Sequence, residues 1–208
     1  MYGLPLVLGA GILLGFGMFQ PAVFFQLGGA VVLVAGLFVL NFFRDPERII
    51  PSSAGAIVAP ADGTVVEVKE ADFSGEPVQQ VSIFMSPLNV HINRAPIAGV
   101  ITRINYRKGS YHVAWDARAS VENEQNVFTV EGPQGKVVVK QIAGVLARRV
   151  VFWKREGERL EKGERVGMIK FGSRVDLLVS PGVKLQVKTG DRVRGGSSII
   201  GISPEPAS

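Results

Sequence analysis

Three residues in this sequence could act together as a reactive set: Asp62, His91 and Ser173. In chain order they supply a carboxylate, an imidazole and a hydroxyl, the parts of a relay that activates a nucleophile. Ser173 lies in "KFGSRVDLL", residues 170 to 178, behind Gly172 and ahead of an apolar, β-leaning run. Taken alone it reads as a turn residue at a strand boundary, and it lacks the G-x-S-x-G elbow of many hydrolases. His91 lies in "SPLNVHINRAP", residues 86 to 96. If that stretch is extended, Val90 and Ile92 face one side, while His91 and Asn93 face the other, where an imidazole can reach a cleft. Asp62 precedes Gly63, a pair that by itself reads as a hairpin turn.

The chain narrows the chemistry further by what it lacks. There is no cysteine, which excludes disulfides, thiolate ligands and cysteine nucleophiles. Its only histidines, His91 and His112, form neither H-x-x-x-H nor H-x-H, so no metal is expected. Arg148-Arg149 and Lys154-Arg155 are short basic pairs without interleaved aromatics, so nucleic acid is not an expected partner. The net charge of +5 beside an apolar leader favours anionic lipid head groups instead.

The elements that must position these residues fall into two regions of the 208-residue chain. None of its 23 basic and 18 acidic side chains occurs before Arg44. Tyr2 to Phe19 and Ala22 to Phe43 are apolar, with Gln20-Pro21 between them. As helices they would measure roughly 27 and 33 Å against a hydrocarbon core of about 30 Å. The sequence thus predicts a membrane anchor over residues 1–43, a transmembrane helical hairpin of helices at about 2–19 and 22–43. A cleaved signal peptide would carry a basic n-region, which is missing. Arg44 and Arg48 follow the second segment and place residues 44–208 on the cytoplasmic face of the cell membrane. Gly9, Gly11, Gly15, Gly17, Gly28, Gly29 and Gly36 would allow the helices to approach closely.

From Pro51 onward, short apolar runs alternate with Gly, Pro and Asp, and no 12-residue stretch shows a helical period. The expected fold of 44–208 is one mainly β domain, a compact β-sandwich of barrel-sandwich type with few short helices. "AIVAPADGTVVEV", residues 56 to 68, reads as strand, Asp-Gly turn, strand. "GERLEKGERVGMI" from Gly157 and "GDRVRGGSSIIGI" from Gly190 echo one another. In each, glycine would supply a positive φ and the acid would cap the turn. The echo resembles lipoyl and biotinyl domains, without a carrier lysine. "YHVAWDARASVENEQN", residues 111 to 126, reads as an excursion or lid.

"FFRDPER" (42 to 48), "VAPADGTV" (58 to 65), "FMSPLNVHINRAPIAG" (84 to 99) and "KFGSRVDLLVSP" (170 to 181) together resemble the phosphatidylserine decarboxylase family, and more narrowly its short, archaeal-type branch acting on phosphatidylserine or archaetidylserine. The resemblance implies a proenzyme. Ser173 would attack the Gly172 carbonyl, and elimination and hydrolysis would turn it into a pyruvoyl cofactor. The products would be a β chain, residues 1–172, and an α chain, residues 173–208, held as a heterodimer; dimerisation of the whole is a further family expectation. The pyruvoyl group would form a Schiff base with the phospholipid substrate and release carbon dioxide, giving phosphatidylethanolamine. On this pattern His91 matches the proton donor, and Asp62 the aspartate of the self-cleavage relay.

Two positions depart from the better-known members. Arg94 stands where they carry a second histidine, and Arg174 follows the serine in place of Ser or Thr. Either His91 serves both steps or Asp62 works through water. Arg174 would then lie near the lipid phosphate or the pyruvoyl carbonyl, or point outward into solvent. Asn93 and Arg94 are candidates for the substrate's phosphate or carboxylate. Two other functions compete: a non-enzymatic membrane-anchored β-sandwich adaptor, and a Ser-His-Asp hydrolase.

Overall fold

The apolar leader folds as two helices, α1 (Gly3–Phe19) and α2 (Val23–Phe42). The computed structural model describes residues 3–19, 23–109, 123–144, 149–170 and 173–204, and the chain divides into two units, Met1–Asp45 and Pro46–Ser208. Pro5 sits in the first turn of α1, where a missing N–H costs no helical bond. Buried Gly36 lets the helices meet: a Cβ there would stand 2.9 Å from Val7 Cγ2 and 3.2 Å from the Val7 backbone nitrogen. Gly9, Gly11, Gly15 and Gly28 have nothing within 4 Å of such a Cβ, so none of these four makes the expected close contact. Leu8, Ile12, Val31 and Val34 face outward, Ile12 with 73% of its surface exposed. Among the described residues, no helix is long and apolar enough to cross a membrane. The helical hairpin is therefore observed; a transmembrane one is not.

The second unit is built almost wholly of antiparallel strands. Its largest sheet has eight, in the spatial order β13 (Arg192–Val193), β2 (Gly63–Phe73), β3 (Glu76–Met85), β11 (Ser173–Val179), β7 (Gly135–Ala143), β6 (Gln125–Gly132), β5 (Gly99–Arg107) and β9 (Arg159–Leu160). Two three-stranded sheets complete it: β1 (Ala56–Val58), β14 (Ile199–Ile202) and β12 (Lys184–Leu185); and β4 (Ile92–Arg94), β10 (Arg165–Ile169) and β8 (Val150–Phe152). Ile83, Phe128, Val139, Val175 and Leu177 of the large sheet share one buried cluster with Ile57, Ile200, Val150 and Ile169 of the small ones. Burying their apolar surface is the main stabilising term, at about 25 cal/mol per Å² removed from water.

Local chemistry explains several connections. β2 turns into β3 through Ser74 and Gly75, both at positive φ (59° and 83°), as a two-residue hairpin requires. The two echoed segments fold alike. Gly157 and Gly190 have φ of 81° and 98°, and the following acids cap the turns, Glu158 Oε2 accepting from Arg155 N at 3.0 Å and Asp191 Oδ2 from Lys188 N at 2.9 Å. The second glycines behave as a pair too: Gly163 N donates to Ala95 O and Gly196 N to Ala59 O, each at 2.8 Å. The sequence echo is thus a structural repeat that grips two Ala-Pro segments, one of which leads to Asp62.

One expected connection is absent. β1 and β2 do not form a hairpin across Asp62-Gly63; β1 pairs with β14, and β2 pairs with β3 and β13. The local Asp-Gly signal was outweighed by partners far away in the chain. Most of the 111–126 excursion, His112 included, lies outside the described residues.

Candidate active site

Ser173 is the first residue of β11, in register with Met85 of β3 on one side and Ala143 of β7 on the other. Strand alternation turns Ser173, Val175, Leu177 and Val179 to one face, and the three apolar members belong to the core. Ser173 is completely buried, and its Oγ lies 3.5 Å from the Met85 thioether sulfur, a weak acceptor. Gly172 lies outside the described residues.

A line of buried side-chain amides leads to the same sulfur. Asn126 Nδ2 donates to Gln141 Oε1 at 2.9 Å, and Gln141 Nε2 donates to Asn93 Oδ1 at 2.8 Å. Asn93 Nδ2 then points at Met85 Sδ, 3.8 Å away. Because each amide gives a proton at one end and takes one at the other, the line fixes which way Asn93 faces. Replacing Gln141 with Leu would leave Asn93 Oδ1 and Asn126 Nδ2 buried without that partner. Urea denaturation of Gln141→Leu should show a loss of about 1 to 3 kcal/mol; an unchanged midpoint would mean the line does not hold the site.

His91 is also completely buried. Its Nδ1 lies 2.9 Å from Asn89 O. A carbonyl only accepts, so Nδ1 carries the proton and Nε2 is the basic nitrogen. Asn89 is itself fixed: its Oδ1 accepts from Ser86 N at 2.8 Å and Ser86 Oγ at 2.9 Å, and its N–H donates to Ser86 O. Pro87 pre-sets that turn. The "SPLN" turn therefore fixes the carbonyl that faces Nδ1.

Asp62 is held from two directions. Arg48 Nη2 reaches both carboxylate oxygens, at 2.9 and 2.8 Å, and Gly195 N donates to Oδ1 at 2.7 Å. A Cβ at 195 would stand 3.2 Å from the Ala61 carbonyl carbon, so a larger residue there would press on the Ala61–Asp62 backbone. Breaking this largely buried ion pair by Arg48→Ala should destabilise the fold by about 3 kcal/mol or more, read as a lower thermal midpoint.

The two arginines that depart from the better-known pattern are both engaged. Arg94 donates from Nη1 to Gly163 O at 3.0 Å and from Nη2 to Pro46 O at 3.3 Å, tying Pro46 to the repeat turn. Arg174 faces away from Ser173, as the next residue of a strand must, yet it is buried rather than solvated. Its Nε and Nη2 meet Asp176 Oδ1 and Oδ2 at 2.9 and 3.0 Å. Beside that pair, burial holds the Lys140 ammonium below the usual lysine range; Asp176 opposes the shift, while Arg174 and Lys69 reinforce it.

The structure thus brings Ser173 and Asn93 onto one sulfur, places His91 two residues before Asn93, and holds Asp62 by Arg48 and Gly195. Sequence reasoning missed Arg48, Met85, Asn126 and Gln141 as site residues. A signal existed for two of them: Asn126 alternates with core-facing Phe128 and Val130, and Gln141 with Val137, Val139 and Ala143. A polar residue on a core-facing register needs a partner.

Comparison with known proteins adds an independent line. The family model described as phosphatidylserine decarboxylase matches residues 35–201. The phosphatidylserine decarboxylase proenzyme of Salinibacter ruber is 51% identical over 182 residues, covering 84% of this chain and 80% of the relative. That of Solibacter usitatus is 49% identical over 170 residues, covering 82% and 80%, and that of Chlorobaculum parvum 42% over 191 residues, covering 89% and 87%. The narrower likeness to an archaeal-type branch is not borne out, because these relatives are bacterial and are named for phosphatidylserine.

Proposed function

This chain belongs to the phosphatidylserine decarboxylase family, and on that premise we propose that it is a carboxy-lyase that makes its own pyruvoyl group from Ser173 and converts phosphatidylserine to phosphatidylethanolamine. The observation that carries the proposal is the setting of Ser173: a wholly buried hydroxyl at the head of a central strand, in register with Met85, which runs directly into the turn that holds His91. Its oxygen attacks the Gly172 carbonyl, so that the acyl group passes from nitrogen to oxygen. The ester then leaves as the Gly172 carboxylate, taking the Cβ–O bond pair, while the Cα proton is lost. Water replaces the nitrogen as ammonia.

The surrounding residues fit a pyruvoyl group at that position. Ser173, Met85 and Asn93 are fully buried, and the last two offer a thioether and an amide donor. Such a group supplies an electron-poor carbonyl that accepts the pair released when a substrate carboxylate leaves as carbon dioxide. His91 then delivers a proton to the substrate carbon. In this reading Asn93 orients the reacting end, and Asp62 holds the turn at Gly195 in place. Arg94 braces the chain at Pro46 and Gly163.

Cleavage leaves the two pieces together. After Ser173, β11 pairs with β3 and β7, β13 with β2, and β14 with β1, all strands of the piece before it. The fragments should therefore co-migrate under native conditions and separate only on denaturation. The uncharged helices with outward Leu8, Ile12, Val31 and Val34 support attachment to the membrane that holds the substrate, and Arg44 after α2 supports its cytoplasmic face.

Freshly purified protein with phosphatidylserine in mixed micelles provides the test. Intact mass should show a C-terminal fragment beginning at position 173 with a blocked end, and carbon dioxide should be released. A single uncut chain with no gas release would sink the proposal.

A further inference from the structure

A cleft of about 780 Å³ opens with Asp62, Ser86, Asn89, Arg192, Arg194 and Ser198 on its walls. That volume suits a small-molecule site. Two of these residues connect it to the chemistry: Asn89 gives its carbonyl to His91 Nδ1, and Ser86 holds the Asn89 side chain. Phe84, also on the wall, precedes Met85, whose sulfur meets Ser173 Oγ.

The cleft is cationic. Asp62 is already met by Arg48 and Gly195 N–H, whereas Arg192 and Arg194 are exposed into the opening. Val193 between them is buried while both arginines are exposed on the cleft wall, and two residues of chain set their Cα atoms at most about 7 Å apart. That spacing allows two guanidiniums to bracket one tetrahedral anion. Ser198 Oγ accepts from Arg194 N at 2.9 Å, which leaves its O–H to donate.

The turn that carries these groups is rigid before any ligand arrives. Gly195 N is bound to Asp62. Gly196 has φ +80°, and a Cβ there would stand 2.9 Å from Arg94 Cδ. Ser197 N and Ser198 N both donate to Arg194 O, at 3.0 and 2.9 Å. Preorganised donors lose little freedom on binding.

We propose that this cleft binds the phosphodiester of the lipid head group, with Arg192 and Arg194 as its cationic ligands and Ser198 as a neutral donor. The proposal rests on the decarboxylase reading and adds to it the site that selects a phospholipid over free serine. It assigns a role to the second copy of the repeated segment, "GDRVRGG", which otherwise only shapes the fold.

The test uses the full chain and a short-chain, soluble phosphatidylserine, so that no bilayer surface is present. Arg192→Ala/Arg194→Ala should still split at Ser173, which shows that it folds. Its KM should rise about tenfold or more with kcat within about twofold, and Arg192→Lys/Arg194→Lys should fall between. Glycerophosphoserine and inorganic phosphate should inhibit the native enzyme competitively and lose potency by a similar factor in the alanine variant; serine should do neither. An unchanged KM in a processed, active variant overturns the proposal alone. So does inhibition by inorganic phosphate without inhibition by glycerophosphoserine, which marks a free-anion site. So too does a loss of vesicle binding with the soluble KM intact, which marks a membrane-surface patch. A native chain that never splits takes the decarboxylase reading down with it.

Discussion

Ser173→Ala should purify as one uncut chain of 22.3 kDa that releases no carbon dioxide from phosphatidylserine. The substitution removes a single oxygen, and that oxygen is both the attacking atom and, once acylated, the leaving atom of the elimination. Alanine has no group that does either. The fold should survive, because the only partner of Ser173 Oγ among the described residues is a thioether, and the strand is held by backbone pairing to β3 and β7. A stability change within about 1 kcal/mol is expected by urea denaturation. Native protein prepared in parallel should be two fragments. Loss of cleavage with the fold intact separates a chemical role for Ser173 from a packing one. A variant that still splits at 173, or one that stays whole yet decarboxylates, would remove the serine from the mechanism.

How much of this was legible beforehand follows from the range of each signal. The mainly β character after Pro51 was readable because alternation and flanking turn residues are local, and strands such as β5 and β6 form there. The echoed turns were readable because glycine followed by an acid dictates its own geometry. The Asp62-Gly63 hairpin was misread because its local signal is the same whether the next strand folds back or leaves for another sheet. What decided the outcome was β14, some 140 residues downstream, pairing with β1.

Site residues divide in the same way. Asp62, His91 and Ser173 stand in dense motifs. Arg48 stands in one as well, but nothing local says that its guanidinium crosses to Asp62. Met85 reads as one more core residue until its sulfur is seen between Ser173 and Asn93. Gln141 and Asn126 were readable only as polar residues on a core face, a pattern that demands a partner without naming it. Arg94 illustrates the opposite limit: its type suits an anion, while its position gives it to two backbone carbonyls.

His91→Ala should lower kcat for decarboxylation by about 10²- to 10⁴-fold, the usual contribution of a placed general acid or base. The same change should slow self-cleavage. Of the two candidate bases for Ser173, Asp62 already accepts from Arg48 and Gly195, whereas the contact of His91 Nδ1 with Asn89 O leaves Nε2 as a basic nitrogen. Asp62 then contributes by holding the Gly195 turn. The two reactions can be timed separately, cleavage by the appearance of the fragment starting at residue 173 and turnover by carbon dioxide from protein already cleaved. Added imidazole should restore part of both in His91→Ala, because the cavity left by the ring is buried and shaped for it. Rescue would distinguish a proton carrier from a packing residue, since a purely structural loss would not respond to the buffer base. If His91→Ala cleaves at the native rate while Asp62→Asn stays folded and uncut, the assignments reverse: the carboxylate is the base for cleavage, and the imidazole serves the lipid reaction alone.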